Sequence, residues 1–234
     1  MNRYSPAWYE IFLASIPEQT TKDEVAFVAR QLPVREFPRI LDLCCGPARH
    51  ACALAGRGYR IVGVDMNEDA VHRARALCPG AEFRVGDMRS LDSLARTFDG
   101  VVNLWHSFGY FDDATNLEVL RQVQRILRPG GRAIFDIYNR EHFEARGAEE
   151  VAERGGRCIR TTRRWNDARH RVTLEYDGRQ GDEFEWRLYT PVEFRALSAS
   201  AGLDTLRTCA WFDEAVPISA EHARMQFVLE RRRP

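Results

Sequence analysis

The stretch RILDLCCGPARHACALAGRGYRIVGVD, residues 39–65, reads as strand, turn, helix, strand. Arg39 to Leu43 is a short apolar run that ends at a Gly/Pro turn. Ala48 to Gly58 carries a helical pattern that stops at glycine, and Tyr59 to Asp65 is a second apolar run of strand length. Two such strands joined through one helix make a βαβ unit, whose strands are parallel.

The same alternation continues outward. Asn67 caps a helix that runs to about Cys78, where Pro79-Gly80 breaks it. Strands follow at about Ala81 to Val85, Phe98 to Leu104 and Gly131 to Ile137, with a helix at Asn116 to Leu127. The expected class is α/β, a mainly parallel sheet with helices on both faces. In such sheets ligands sit beyond the carboxyl ends of the strands, so the loops after Leu43, Asp65, Val85, Leu104 and Ile137 are the expected site.

Past Asn139 the period changes. Arg157 to Trp165, Arg169 to Tyr176 and Glu183 to Leu188 alternate apolar and polar residues, separated by Asn166-Asp167 and Asp177-Gly178, which are hairpin signals. Thr190-Pro191 starts another helix, and Leu203 to Trp211 and Arg224 to Leu229 read as closing strands. Before the first strand, Ala7 to Ile16 and Lys22 to Leu32 read as two helices placed to act as a lid. The expected organisation is an N-terminal helical lid (1–35), a core (36–140 and 190–234), and a small antiparallel β insertion after the fifth strand (141–189) serving as an acceptor lid or a dimer contact. Arg231-Arg232-Arg233 reads as a frayed tail.

Composition narrows the function classes. With 34 basic and 34 acidic side chains the chain lacks the basic excess typical of nucleic-acid binders, so no nucleic acid is expected. No apolar run approaches the ~18 residues of a membrane span, and no signal-peptide pattern opens the chain, so the expected location is the cytoplasm. The six cysteines form no CxxC pair, and no metal is expected.

The turn from Asp42 to His50 follows a strand and opens a helix, whose free N–H groups attract an anionic group such as a carboxylate. A dinucleotide would need G-x-G-x-x-G, and only Gly46 is present, so the turn suits a smaller head group. Asp65, nineteen residues after Gly46, is placed to receive two ribose hydroxyls. Helix capping is the other reading of Asp65, but Asn67 already fills that role. Gly86-Asp87-Met88 adds a carboxylate for an exocyclic amine and a flexible apolar side chain for a purine face. Together these residues describe a nucleoside pocket without phosphates.

The runs ILDLCCGPARHACALAGRGYRIVGVD, FRVGDM, FDGVVNLWHSFGYF and LRPGGRAIFDIY, in that order, resemble the motifs of class I S-adenosylmethionine (SAM)-dependent methyltransferases. The resemblance covers about Arg39 to Tyr138, and TPVEFRALSASAGL (Thr190 to Leu203) is similar to a later helix and turn of that family. It implies a Rossmann-like fold with SAM as cofactor and S-adenosylhomocysteine as product. Asp42 and the turn of Cys44, Cys45 and Gly46, with His50 behind it, would then hold the methionine end. Asp65 would hold the ribose and Met66, Asp87 and Met88 the adenine, while Leu104 would offer a carbonyl near the ammonium and Tyr9 would cover the cofactor. The chain departs from the family in carrying Cys44 and Ala48 where glycines are frequent.

Methyl transfer from a sulfonium is an in-line displacement, so alignment and exclusion of water dominate, and a protonated acceptor must also lose a proton. His106, in the loop after the fourth strand, is the first candidate for that base, with a loop-bracing histidine as the equal alternative; Tyr138 is a second candidate. Trp105, Tyr110, Tyr138, Asn139, Arg140 and Trp186 are expected to border a small-molecule acceptor. The expected activity is methylation of an N or O atom of such an acceptor, in secondary metabolism. An RNA or protein methyltransferase and a non-catalytic SAM-binding regulator are the alternatives, and a homodimer is a further expectation.

Overall fold

The computed structural model describes residues 2, 4–92, 94 and 97–233. In chain order, α1 (Pro6–Trp8) passes into a π-helical turn (Tyr9–Leu13), followed by α2 (Glu18–Gln31), β1 (Arg39–Leu43), α3 (Arg49–Ala55), β2 (Arg60–Asp65) and α4 (Glu68–Leu77). Then come β3 (Glu82–Val85), β4 (Phe98–Asn103), α5 (Asp113–Ile126), β5 (Leu127–Tyr138), α6 (Arg140–Glu144), β6 (Glu149–Arg154), β7 (Arg157–Asn166), β8 (Arg169–Tyr176) and β9 (Arg179–Arg187). The chain closes with α7 (Pro191–Ser200), β10 (Leu203–Cys209) and β11 (Arg224–Arg231).

Among the described residues, seven strands form one sheet in the order β10-β11-β5-β4-β1-β2-β3. β1 is parallel to both β2 and β4, so the strand order reverses beside it and a crevice opens past its carboxyl end. β11 joins β5 antiparallel. Both faces of the sheet are covered, and single strands divide their side chains between two cores. Leu41 and Leu43 pack with Val119, Leu120 and Phe194 of α5 and α7, while Ile40 packs with Val25, Val28 and Leu54 of α2 and α3. This is the expected α/β, Rossmann-like arrangement.

Close packing leaves no room on the crevice side of β2. A Cβ on Gly63 would lie 2.5 Å from the Phe83 ring and 2.9 Å from Cys45 Sγ. Gly63→Ala is therefore expected to cost about 1–3 kcal/mol by overpacking, read as a lower denaturant midpoint. An unchanged midpoint would mean that Phe83 yields freely.

A second sheet, β6-β7-β8-β9, is the antiparallel insertion. The Asp177-Gly178 hairpin forms as expected, with both residues at positive φ. The alternation expected from Glu183 to Leu188 holds too, since Phe184 and Trp186 of β9 and Leu188 just past it are buried. The sheet has one more strand than the sequence indicates: every residue of β6 is exposed, so no apolar alternation marks it. The lid differs as well. Its first helix is one turn followed by a π turn, because Ser5 caps it (Oγ accepting from Trp8 N, 3.1 Å) and is itself held by Asp182 of β9. The N-terminal segment thus packs on the insertion, where Ile11, Tyr4, Trp8 and Phe12 share one apolar cluster with Phe184 and Trp186. The C-terminal arginines are not a loose tail. Arg231 belongs to β11 and donates to the carbonyls of Arg125 and Leu127, and Arg232 pairs with Asp204 at 2.8 Å.

Candidate functional site

A cavity of about 560 Å³ opens at the carboxyl ends of β1, β2, β3 and β4 and is roofed by the N-terminal segment. Its floor is the turn after β1. Cys44, Gly46 and Ala48 all adopt positive φ (64°, 52° and 70°), the conformation that favours glycine, so two non-glycine residues carry strain there. The N–H groups of Cys44 and Cys45 both donate to Val64 O, which pins the turn to β2. Burial raises both thiols, which makes them poor nucleophiles at neutral pH.

Asp65, at the end of β2, accepts from Gly46 N through Oδ2 (2.9 Å) and from Asn67 N through Oδ1 (2.8 Å). Its carboxylate thereby bridges two loops, while Asn67 caps α4 through its own side chain (3.1 Å). Asp87 lies one strand further on, paired with Arg89 and held below the usual carboxylate range by that contact. Met88 is buried and Met66 is 49% exposed, and both line the cavity. Tyr9 lines it from the roof.

Asp42 is 2% exposed, and its Oδ2 has no hydrogen-bond partner among the described residues. Burial first, and then the Asp65 charge, push its pKa up to about 7. A buried carboxylate with an unpartnered oxygen favours a cation beside it.

Behind the cavity wall lies a charged cluster to which no sequence motif points. Glu24 of α2 accepts from Arg49 Nη1 (2.8 Å) and Trp105 Nε1 (2.8 Å), and lies 2.7 Å from His50 Nε2. Arg224 of β11 reaches Glu24 at 3.3 Å and pairs closely with Asp136 of β5. Burial opposes ionisation of Glu24, but the His50 hydrogen bond and the charges of Arg224 and Arg49 outweigh it and hold its pKa down at about 2. The guanidiniums of Arg49 and Arg224 both lie over the indole of Trp105, 4.8 and 4.9 Å from its centroid. The one available signal is Glu24 itself, a charge amid the apolar residues Val25, Phe27 and Val28 of α2.

The loop after β4 is strained, with Trp105 and His106 at φ 61° and 58°. Asp136 holds it: Oδ2 accepts from Trp105 N (2.9 Å) and the backbone carbonyl from His106 N (3.1 Å). His106 stacks on Tyr138 (centroids 3.6 Å apart, planes at 12°), and Tyr138 meets Trp186 edge-on at 5.6 Å. Burial, with a smaller contribution from Arg224, lowers the His106 pKa well below the usual value, so the ring is neutral. Its Nδ1 has no partner among the described residues.

Of the expected cofactor residues, Tyr9, Asp42, Cys44, Cys45, Gly46, His50, Asp65, Met66, Asp87, Met88 and Leu104 all line the one cavity. His50 does so with its Nε2 turned to Glu24. Among the acceptor candidates, Trp105 and Tyr110 line it, and His106, Tyr138 and Trp186 form an aromatic layer behind them. Asn139 and Arg140 do not border it. Asn139 is fully buried, donates to the carbonyls of Ser219 and His222 and caps α6, and Arg140 pairs with Glu144 and Glu193. Both follow the end of β5, but there the chain turns into α6, away from the crevice. Ser107, Tyr4 and Phe111 also face the cavity, and Tyr4 and Tyr110 share a hydroxyl–hydroxyl hydrogen bond of 2.8 Å.

Among known proteins, residues 40–131 match the family described as a methyltransferase domain. The chain is 27% identical over 181 residues to the dTDP-3-amino-3,4,6-trideoxy-alpha-D-glucopyranose N,N-dimethyltransferase of Streptomyces venezuelae, covering 72% of this chain and 76% of that one. It is 32% identical over 106 residues to the ubiquinone biosynthesis O-methyltransferase of Aeromonas salmonicida, covering 44% of each. The chain spans about half the length of several of the curated relatives it matches. In fold it is similar to an S-adenosylmethionine-dependent methyltransferase of Clostridium acetobutylicum, with a TM-score of 0.81 at 16% identity over 97% of this chain and 96% of the other.

Proposed function

Residues 40–131 match a methyltransferase domain, and from that premise we propose that the chain is a class I, S-adenosylmethionine-dependent methyltransferase that methylates an N or O atom of a small-molecule acceptor. The observation that carries this reading is the pairing in one cavity lining of Asp65, fixed by two backbone N–H groups, with Asp42, a buried carboxylate whose Oδ2 has no partner among the described residues. These residues fit SAM: Asp65 for the ribose diol, Met88 for the purine face, and Asp42 with the Leu104 carbonyl for the ammonium. Bound SAM supplies a methyl carbon made electrophilic by its sulfonium.

The chain's own residues do the rest. Tyr4, Trp8, Tyr110 and Phe111 wall the cavity with aromatic surface, which excludes water and suits a positively charged centre. His106 is the candidate base, neutral and with Nδ1 unpartnered among the described residues, but burial opposes its protonation and it stacks on Tyr138 outside the cavity lining. An amino-sugar acceptor is consistent with the amino-sugar N,N-dimethyltransferase the chain resembles, and the aromatic wall suits it. The insertion sheet and the N-terminal segment together serve as the acceptor lid.

Calorimetric titration with SAM and S-adenosylhomocysteine, with NAD as control, tests the reading: stoichiometric binding of the first two alone is the expected result. Asp65→Ala is expected to weaken SAM binding by at least tenfold through two lost charge-assisted hydrogen bonds. Near-normal affinity would remove the ribose role.

A further inference from the structure

The aromatic part of the cavity lining comes from two places far apart in the chain: Tyr4 and Trp8 of the N-terminal segment, and Tyr110 and Phe111 of the loop between β4 and α5. The rings are set before any ligand arrives. The Tyr4 and Tyr110 hydroxyls are 2.8 Å apart, and the Tyr4 ring packs against Trp8 (centroids 4.4 Å) and against Phe184 of β9 (4.7 Å). Phe111 is fixed through its backbone, whose carbonyl accepts from Asn116 Nδ2 (2.8 Å) and Arg169 Nη1 (3.1 Å). A recognition surface held in place in this way costs little ordering on binding.

The face of an aromatic ring is negative and attracts a cation. The ring of Phe111 already carries one on its surface, the Arg89 guanidinium at 4.7 Å. Charged groups elsewhere in the lining add to the effect. Asp42, Asp65 and Asp87 face only Arg49 and His50 there, and both of those are bound to Glu24. On its far side the aromatic wall adjoins a smaller pocket of about 270 Å³, where Asn2 and Tyr110 meet Arg169, Glu183 and Glu185.

We propose that Tyr4, Trp8, Tyr110 and Phe111 form a box for an alkylammonium group, which makes the acceptor an aliphatic amine and nitrogen the atom methylated. The proposal rests on the SAM reading and deepens it by choosing between N and O. A neutral amine donates its lone pair to form the N–C bond as the C–S bond breaks. Sulfur keeps the bonding pair, positive charge passes from sulfur to nitrogen, and the new ammonium sheds its proton to water afterwards. A wall that attracts cations therefore binds the nitrogen more tightly as the transfer proceeds. An alcohol or phenol must instead give up its proton to a base. The box offers none, because burial raises the phenols of Tyr4 and Tyr110 and His106 lies outside the lining.

The test needs no knowledge of the acceptor. Protein saturated with S-adenosylhomocysteine is titrated by calorimetry with choline and with the neutral alcohol in which carbon replaces the quaternary nitrogen of choline. Shape and apolar area are matched, so only charge differs. Choline is expected to bind about tenfold or more tightly than the neutral alcohol. Tyr110→Leu should bring the two to equal affinity, whereas Tyr110→Phe, which keeps the ring and loses the hydroxyl, should keep the preference. Equal affinity in the wild type, or binding of neither probe, would overturn the proposal, and that arm depends on the folding of no variant. A Tyr110→Leu protein with the full preference would overturn it too, by tracing the selectivity to the carboxylates alone. Failure to bind S-adenosylhomocysteine at the outset would instead remove the SAM reading, and the proposal with it.

Discussion

Glu24→Ala is expected to lower the unfolding free energy by about 3–5 kcal/mol, the cost of leaving buried charges unmatched. The variant strips the guanidiniums of Arg49 and Arg224 of one carboxylate and orphans the Trp105 indole N–H. Nothing nearby replaces it for Arg49, because Asp136 is engaged with Arg224 and Gln226. Urea unfolding at neutral pH, analysed at constant slope, measures the loss. The pH dependence gives a second check. The Glu24 pKa is depressed from 4.5 to about 2, so its contribution is complete above about 4.5 and disappears as pH falls through about 2. Wild type and variant should therefore converge over that window. A difference below ~1 kcal/mol at pH 7 would show that water serves the cluster as well as Glu24 does.

Asp42→Asn should separate stability from binding. The Asp42 pKa is raised to about 7, so between the unfolded value of 3.8 and that pH the folded protein holds a proton the unfolded chain has lost. The stability this adds is present in acid and lost as pH rises toward about 7, by roughly 1.4 kcal/mol per pH unit across that interval. The ligand-free asparagine variant should accordingly be more stable than wild type at pH 8 and should lose its advantage toward pH 4. Binding should move the other way. A ligand ammonium favours the ionised carboxylate, so wild-type affinity for S-adenosylhomocysteine should fall below pH 7 by up to about tenfold per pH unit, with proton release on binding. In Asp42→Asn the affinity should be weaker at pH 8 and flat across that range. Affinity of the wild type that ignores pH from 6 to 8 would remove Asp42 from the ammonium.

The central sheet is legible in the sequence because parallel strands covered on both faces read as unbroken apolar runs. Arg39–Leu43, Arg60–Asp65 and Phe98–Asn103 have that form, and the first two are followed by a turn residue with a defined duty, Gly46 and Asn67. The part of the cavity proposed to hold the cofactor is legible for the same reason, since strand ends fix where Asp42, Asp65 and Asp87 emerge. The proposed acceptor side is less so. Asn139 and Arg140 follow a strand end as Trp105 does, and only the local chain direction into α6 separates them. Glu24, Asp136 and Arg224 come from α2, β5 and β11, and no spacing in the sequence announces that they meet. β6 is silent because an exposed edge strand need not alternate.

The N-terminal segment also acts at the outer edge of the insertion sheet. Strand β9 ends that sheet and would offer a row of unpaired backbone groups to any neighbouring extended chain. The amide of Asn2 occupies both groups of Glu185, donating to its carbonyl at 3.1 Å and accepting from its N–H at 2.8 Å, and Gly109 O accepts from Arg187 N at 2.7 Å. These contacts imitate a strand that is not there. They close β9 to strand addition at Glu185 and Arg187, so the loss of residue 2 would bare a sticky margin as well as loosen the roof of the cavity, and self-association would be its first symptom.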